Sequence, residues 1–204
     1  WSITQEVLPG VYSLQDFDFE KPSVDLAAQS KIERKHENAK YEIYDYPGEY
    51  LEEKEGKNYA KARIEELQWQ HEKVAGAGTV RGFHPGGLFK LTDHPRSDQN
   101  REYLVVAANH ELNSAEFETG GASGGGPTCM CGFTAIESKT PFRTPRMTPK
   151  PIIQGPQTAI VVGPSGDEIY TDKYGRIKVQ FHWDRQGKKD ENSSCWIRVA
   201  QVWG

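Results

Sequence analysis

The sequence lacks the long apolar runs and the strong charge imbalance that mark two large classes of proteins. No apolar stretch approaches the roughly 18–20 residues that cross a bilayer, so we expect no stable membrane insertion. Residues 1–6 provide neither the basic nor the apolar region of a signal peptide, and the chain does not begin with Met, so we expect a segment of a longer protein. The formal net charge of −4 gives no electrostatic reason to expect a nucleic-acid partner.

Cysteine is also scarce, with three residues in 204. An odd number without a framework spacing argues against a disulfide scaffold and favours a reducing compartment. Cys129 and Cys131 form a C-x-C pair, but a structural zinc site needs about four ligands, and no second pair is present. We expect these two thiols to lie near the start of a strand and to bind no metal.

Complete catalytic motifs are missing as well. Three His-Glu pairs begin the H-E-x-x-H motif of zinc proteases, in which the second His lies four residues after the first. Another residue takes that place each time: Lys40 after His36, Ala75 after His71 and Ser114 after His110. The G-x-S-x-G match at 121–125 lies in a glycine tract rather than between a strand and a helix. We therefore predict no enzymatic activity and no catalytic, cofactor-binding or metal-binding residues.

One segment has the periodicity of an α-helix. Between residues 58 and 75 the spacing of one helical face is followed by Ala60, Ile64, Leu67, His71 and Val74. Asn58 is a suitable N-cap, and Gly76 is a suitable residue after the C-terminus. We predict a helix over 58–75, with Trp69 off the apolar stripe and His71 packed against its neighbours rather than ligating a metal.

Most of the remaining chain carries β patterns. We predict strands at 7–19, 41–46, 79–80, 88–91, 102–108, 132–137, 158–162, 168–170, 176–183 and 196–203. In the clearest of them, Ile177, Val179, Phe181 and Trp183 alternate with Arg176, Lys178, Gln180 and His182. This period of two indicates a strand with one face in a core. The predicted fold class is mainly β with one clear helix, an α+β protein.

Prolines divide the chain into domains. Five of them fall between residues 141 and 156, together with Arg143, Arg146 and Lys150, a spacing that forbids helix and favours a stiff, extended linker. We predict a first domain at 1–140, a Pro-rich linker at 141–156 and a small all-β domain at 157–204. Short strands in fewer than fifty residues favour a small barrel such as the oligonucleotide/oligosaccharide-binding (OB) fold, which could be truncated here.

An OB barrel leaves a second function open, because such barrels bind single strands with aromatic and basic side chains. Phe181 and Trp183 are predicted on the face opposite Arg176 and Lys178, however, and residues 151–204 contain seven basic and six acidic side chains. This arrangement provides little attraction for a phosphate backbone. We keep an OB-fold nucleic-acid-binding protein as the alternative, and a metal-dependent hydrolase as a third reading.

Several stretches resemble the VgrG family, the spike proteins of bacterial type VI secretion systems. Its OB domain is similar to GPQTAIVVGP at 155–164, EIYTDKYGRIKVQFHWDR at 168–185 and SCWIRVAQ at 194–201. Its hub domain is similar to DFDFEKP at 16–22, FKLTDHPR at 89–96 and NREYLV at 100–105. The Pro-rich linker joins the two in the order expected for that family, so the resemblance covers nearly the whole chain.

The resemblance implies a fold, partners and a location. Residues 1–140 would be the C-terminal part of a phage-hub-like β-barrel domain, and 157–204 an OB-fold collar. The protein would be a homotrimeric, non-catalytic puncturing spike without cofactors that sits on the hexameric tube protein (Hcp). It would carry effectors and a PAAR-repeat tip protein through regions absent from this chain. It would lie in the bacterial cytoplasm before firing and then be delivered into a target cell.

Overall fold

The computed structural model describes residues 1–113, 128–167 and 169–200. The chain divides into two compact units, Trp1–Met147 and Thr148–Gly204, and the division falls within the segment predicted as a linker. The prediction of a mainly β fold is confirmed, with one α-helix among the described residues. The assignment of the units to a hub domain and an OB domain stays a prediction.

The first unit contains two β-sheets and the helix, and its curled sheets form a half-barrel. Its strands are β1 (Ser2–Gln5), β2 (Val11–Leu14), β3 (Ala28–Lys31), β4 (Glu42–Asp45), β5 (Glu72–Gly78), β6 (Leu88–Lys90), β7 (Glu102–Asn113) and β8 (Thr128–Glu137). The larger sheet has the order β1-β5-β8-β7-β6, with every neighbouring pair antiparallel. The smaller sheet has the order β3-β2-β4, in which β2 and β4 run parallel.

Aromatic side chains fill the core of the larger sheet. Val74, Tyr103 and Ala135 are fully buried at its centre. The ring of Phe89 stacks on that of Tyr103 with centroids 5.5 Å apart, and Phe133 meets Phe89 edge to face at 5.6 Å. The buried Tyr103 hydroxyl donates to Gln99 Oε1 at 2.9 Å, which satisfies its polar end. Offset and edge-to-face pairs of this kind add to the stabilisation from burial alone.

The helix α1 (Glu53–Gln68) packs against β2 and β3 of the smaller sheet. Its buried face includes Ala60 and Ile64, and the core beneath it includes Leu26 and Tyr50. Acidic residues in the first turn complement the positive end of the helix dipole. The Tyr50 hydroxyl donates to the Leu26 carbonyl oxygen, which satisfies the polar end of this buried side chain.

The predicted bounds of the helix are wrong at both ends. The α-helix begins at Glu53, five residues before Asn58, and ends at Gln68. A short 3-10 turn follows at Trp69–His71, and β5 then begins at Glu72. Val74 continued the helical spacing in the sequence, but it pairs with Ile3 of β1 and Ala135 of β8 and is 1% exposed. Pairing on both sides of β5 therefore outweighs the local helical period.

Two other predicted strands lie near real strands, but their predicted bounds are wrong. The segment at 7–19 is strand only over Val11–Leu14, and residues 79–80 lie just beyond the end of β5. Sequence patterns missed β1, β3 and β5, because short strands with small or polar side chains carry little periodicity.

The second unit has a small antiparallel pair, β9 (Ala159–Val162) and β10 (Lys178–Phe181). An isolated bridge joins Ile177 to Ile197. Apart from that bridge, the strands predicted at 169–170 and at 196–200 are not formed. In β10 the predicted inward face is correct for Val179, which is 7% exposed. Gln180 on the predicted outward face is also buried, whereas Trp183 is 55% exposed.

Some predictions concern residues that lie outside the described ranges. These are the glycine tract with its G-x-S-x-G match at 121–125, Ser114, Glu168 and the final residues 201–204. Within the described ranges, no helix has the length and apolar character needed to cross a membrane.

A candidate binding cleft at the end of the helix

The histidines of two incomplete H-E-x-x-H motifs, His71 and His110, contact backbone carbonyl oxygens. His71 lies in the 3-10 turn, and its Nδ1–H donates to the Glu6 carbonyl oxygen at 2.6 Å. His110 lies on β7, with its Nε2 2.8 Å from the Phe83 carbonyl oxygen and 3.8 Å from Cys131 Sγ. Among the described residues, no group of three or more His, Cys, Asp or Glu side chains could hold a metal ion. The absence of site residues stays a prediction.

A cleft of the first unit lies where α1 ends, between that end and residues next to β3 and β8. It has two adjoining lobes that share Arg34, Gln68, Trp69, Glu137 and Thr140. The polar lobe, of about 190 Å³, is completed by His71, Glu72 and Arg101. The mixed lobe, of about 300 Å³, is completed by Ile32, Glu65, Lys139 and Pro141.

An ion network forms the wall of the polar lobe. Arg101 donates to Glu72 through one terminal nitrogen, to Glu137 at 3.2 Å through the other, and to the Tyr103 hydroxyl at 3.1 Å through Nε. Burial alone would raise the pKa of the Glu72 carboxyl, but hydrogen bonds from Gln5 and Arg101, with the charge of Arg101, outweigh it and lower this pKa below its ordinary value. Glu72 is therefore a carboxylate at neutral pH, and each nitrogen of the Arg101 guanidinium already donates one hydrogen bond.

The wall of the mixed lobe includes the beginning of residues 141–147, which we call the docking segment. Arg143 binds Glu65 at 2.8 Å, and the Glu65 side chain is only 8% exposed. The backbone N–H of Arg146 donates to Glu66 Oε1 at 2.7 Å. The ring of Phe142 lies 5.0 Å from that of Trp69. The first part of the predicted linker is thus attached to the helix, because its charged and aromatic side chains find partners there.

Sequence reasoning did not single out this cleft. Arg34, Gln68 and Glu137 are far apart in the chain and belong to no motif, and Trp69 was noted only as lying off the apolar stripe. The one available signal was that large aromatic residue at the end of a helical pattern. Its position alone does not indicate a cavity.

Comparisons with known proteins identify relatives over the whole chain. Residues 1–116 match the model of the phage tail baseplate hub (GPD) family. The type VI secretion system spike proteins VgrG1a and VgrG1c of Pseudomonas aeruginosa are 50% and 49% identical to the chain over 203 residues, which is 100% of its length. VgrG2a of the same organism is 38% identical over 200 residues and 93% of the chain.

The chain spans only part of each relative: 31% of VgrG1a, 28% of VgrG1c and 23% of VgrG2a. The family match covers more than half of the chain, and the similarity to the spike proteins continues through the second unit. The chain therefore belongs to the phage tail baseplate hub family and is a relative of the VgrG spike proteins of type VI secretion systems.

Proposed function

We propose that the chain is part of a structural subunit of a type VI secretion spike. The observation that carries this proposal is the 50% identity to VgrG1a over the whole chain, which includes both units and the segment between them. The subunit would form a homotrimer, with the first unit in the hub and the second in an OB-fold collar below it. Its work would be mechanical rather than catalytic.

The partners follow from that role. The hub of the trimer would sit on the hexameric tube protein (Hcp), and the PAAR-repeat tip protein and effectors would attach through parts of the longer protein outside this chain. The spike would assemble in the bacterial cytoplasm and be delivered into a target cell when the system fires.

The solution mass of the longer parent protein, measured by light scattering, tests this proposal. We expect three chains per particle, and the next measurement would be co-purification with the tube protein. A stable monomer at micromolar concentration would contradict the trimeric spike. Peptidoglycan or peptide cleavage that copurifies with the 204-residue chain would contradict the mechanical role.

One observation keeps nucleic-acid binding as a second candidate. Trp183 is 55% exposed and stacks on Phe181 at a centroid distance of 5.0 Å, whereas the sequence pattern placed both rings in a core. An exposed aromatic side chain can stack on bases, but seven basic against six acidic residues in 151–204 provide little electrostatic attraction. Salt-dependent binding to a single-stranded oligonucleotide, lost in Trp183→Ala, would support this alternative over the spike.

A further inference from the structure

The docking segment is fixed at a few points rather than along its length. Residues 141–147 have no regular secondary structure, and within the described ranges they make no backbone–backbone hydrogen bond. Pro141 and Pro145 also lack the N–H that such a bond needs. Side chains therefore carry the attachment, and it can be broken without unpairing a strand or a turn of helix.

The attachment is mostly ionic. Arg143 contacts Glu65 Oε2 with both Nε and a terminal nitrogen, each at 2.8 Å. Three residues further on, the Arg146 N–H donates to Glu66 Oε1, and its guanidinium lies 3.9 Å from Asp45. The side chains of Arg143 and Arg146 are 53% and 58% exposed, so dissolved salt screens the charges of both.

The contact between Arg143 and Glu65 dominates this attachment. The Glu65 side chain is only 8% exposed, and the other cation near it among the described residues, Lys61, lies 4.0 Å away and is 67% exposed. Loss of one partner from a buried ion pair leaves a charge without compensation, which costs more than loss of an exposed pair. Because Arg143 covers the carboxylate that it binds, water would reach Glu65 once the segment leaves α1. Without the Arg143 charge, Glu65 therefore favours a detached segment.

We propose that the docking segment is a latch that opens without unfolding of the first unit and is kept closed by the Arg143–Glu65 pair. Closed, the chain is attached to the first unit up to residue 147. Open, the last attachment would be the preceding turn, where the Thr140 N–H donates to the Glu137 carbonyl oxygen at 2.9 Å.

Opening of the latch would change the connection to the second unit, which begins at Thr148. An extended proline-rich chain spans about 3.1 Å per residue, so release of residues 141–147 would lengthen the connection by about 20 Å. Because the contacts are ionic and partly exposed, ionic strength would control how often the latch is open. This device requires neither a trimer nor the tube protein.

Amide hydrogen exchange of the 204-residue chain, measured by nuclear magnetic resonance, follows the latch and the core of the first unit separately. The Arg146 N–H reports opening, because it donates to Glu66 only when the latch is closed. The Ile64 N–H in α1 reports unfolding, since that residue is fully buried. We expect the Arg146 N–H to exchange about tenfold more slowly than in a free peptide of residues 141–147, yet faster than the Ile64 N–H.

Two variants test the role of the ion pair. Arg143→Gln should remove most of the protection, which speeds exchange of the Arg146 N–H by nearly tenfold, and should leave exchange at Ile64 unchanged. Arg96→Gln is the matched control, since Arg96 is an exposed arginine of the same unit that pairs with Asp98. The control should leave both exchange rates unchanged.

Salt tests the latch without a substitution. Raising NaCl from 0.1 M to 1 M shortens the screening length from about 10 Å to about 3 Å and should speed exchange of the Arg146 N–H about threefold or more. The effect should be smaller in Arg143→Gln, because the pair that salt weakens is already absent. Exchange at Ile64 should not rise with salt.

Three results would overturn the proposal. The first is an Arg146 N–H that exchanges as fast in the unmodified chain as in the free peptide, since no closed latch would then exist. The second is equal exchange of that N–H in Arg143→Gln and Arg96→Gln. The third is a parallel rise of the rates at Arg146 and Ile64, which would show opening only through unfolding. If Arg143→Gln fails to fold, the salt dependence of the unmodified chain decides the question.

Discussion

The two units stabilise themselves in different ways. The largest fully buried side chains of the described residues all lie in the first unit, and they are Tyr103, Leu26, Ile64, Ile136, Val74, Val105 and Cys131. Among the described residues of the second unit, the buried ones are Val162, Val179 and Gln180, at 6–8% exposure, while Ile169 is 83% exposed. A short unit buries a smaller fraction of its surface. The first unit thus has a core of its own, whereas apolar side chains of the second remain available for contacts elsewhere.

Polar side chains shape much of the second unit instead. Asp172 Oδ1 accepts from the backbone N–H groups of Tyr174 and Arg176, both at 2.9 Å. Asp184 Oδ1 accepts from those of Gln186 and Gly187 at 2.8 and 3.0 Å. Such local bonds define turns without a large core. We expect substitutions in the first unit to act through packing and those in the second to act through turns.

The largest expected difference comes from the same substitution in each unit. Ile64 on α1 is fully buried, and Ile64→Ala should lower the free energy of unfolding by about 2–5 kcal/mol through a cavity. Ile160 on β9 is 44% exposed, and Ile160→Ala should cost only about 0.5 kcal/mol. Urea unfolding of the two variants measures both values. Equal losses would contradict the difference in packing between the units.

A glycine of the helix provides the second comparison. A Cβ on Gly56 would collide with the ring of Tyr50, which is buried and hydrogen-bonded to Leu26. Gly56→Ala should therefore destabilise the first unit by about 1–3 kcal/mol, although alanine is the better helix former. Gly132 on β8 has open space around its Cβ position, so Gly132→Ala is the control and should be neutral or slightly stabilising. A higher melting temperature for Gly56→Ala would show that Tyr50 can move.

Gln180 tests the importance of polar side chains in the second unit. Its Nε2 donates to the carbonyl oxygens of Asp184 and Gly187, and its Oε1 accepts from the Lys189 N–H at 2.6 Å. Gln180→Leu leaves these backbone groups unpaired and should cost about 1–3 kcal/mol. Hydrogen exchange should become faster across 184–193. Gln186→Leu, at an exposed residue of the same loop, should leave that exchange unchanged, and equal protection in both variants would contradict the role of Gln180.

The turn before β10 should give a smaller effect. Gly175 has a φ of +69°, and its N–H donates to the Asp172 carbonyl oxygen at 3.0 Å. Gly175→Val places a β-branched residue in the left-handed region and should cost about 1–2 kcal/mol. Gly175→Asn should cost less, because asparagine tolerates this conformation. Thermal unfolding of both variants distinguishes strain of the left-handed backbone from a steric clash of the added side chain. An equal drop in melting temperature for the two variants would point to the clash.

The smallest expected effect is the pH dependence of the Glu72 network. The folded-state pKa of Glu72 is lowered, so its contribution to stability is fully present above the ordinary pKa of 4.5 and is lost as the pH falls through the lower folded value. The contribution should stay below about 1 kcal/mol, because the ion pair is partly solvated. Melting temperatures between pH 6 and pH 3, measured for the unmodified chain and for Glu72→Gln, test this. Parallel curves would contradict the contribution of Glu72.

Sequence patterns were reliable where one local period matched the environment. Alternation predicted the strand around Val179, and the spacing of Ala60 and Ile64 predicted the buried face of the helix. The same spacing failed at Val74, because pairing with two neighbouring strands decides the conformation there. It also failed for Gln180, whose burial depends on a loop that folds over it.

The sequence by itself determined the mainly β class, the presence of one helix and membership of a spike and hub family, since these depend on patterns within short segments. Only the tertiary structure decided where the helix ends, how the docking segment attaches to it and where the cleft lies. Arg34, Gln68 and Glu137 meet because strands and a helix from distant parts of the chain pack together. A local pattern reports which side chains are buried but not which partners bury them, and those partners determine the cleft.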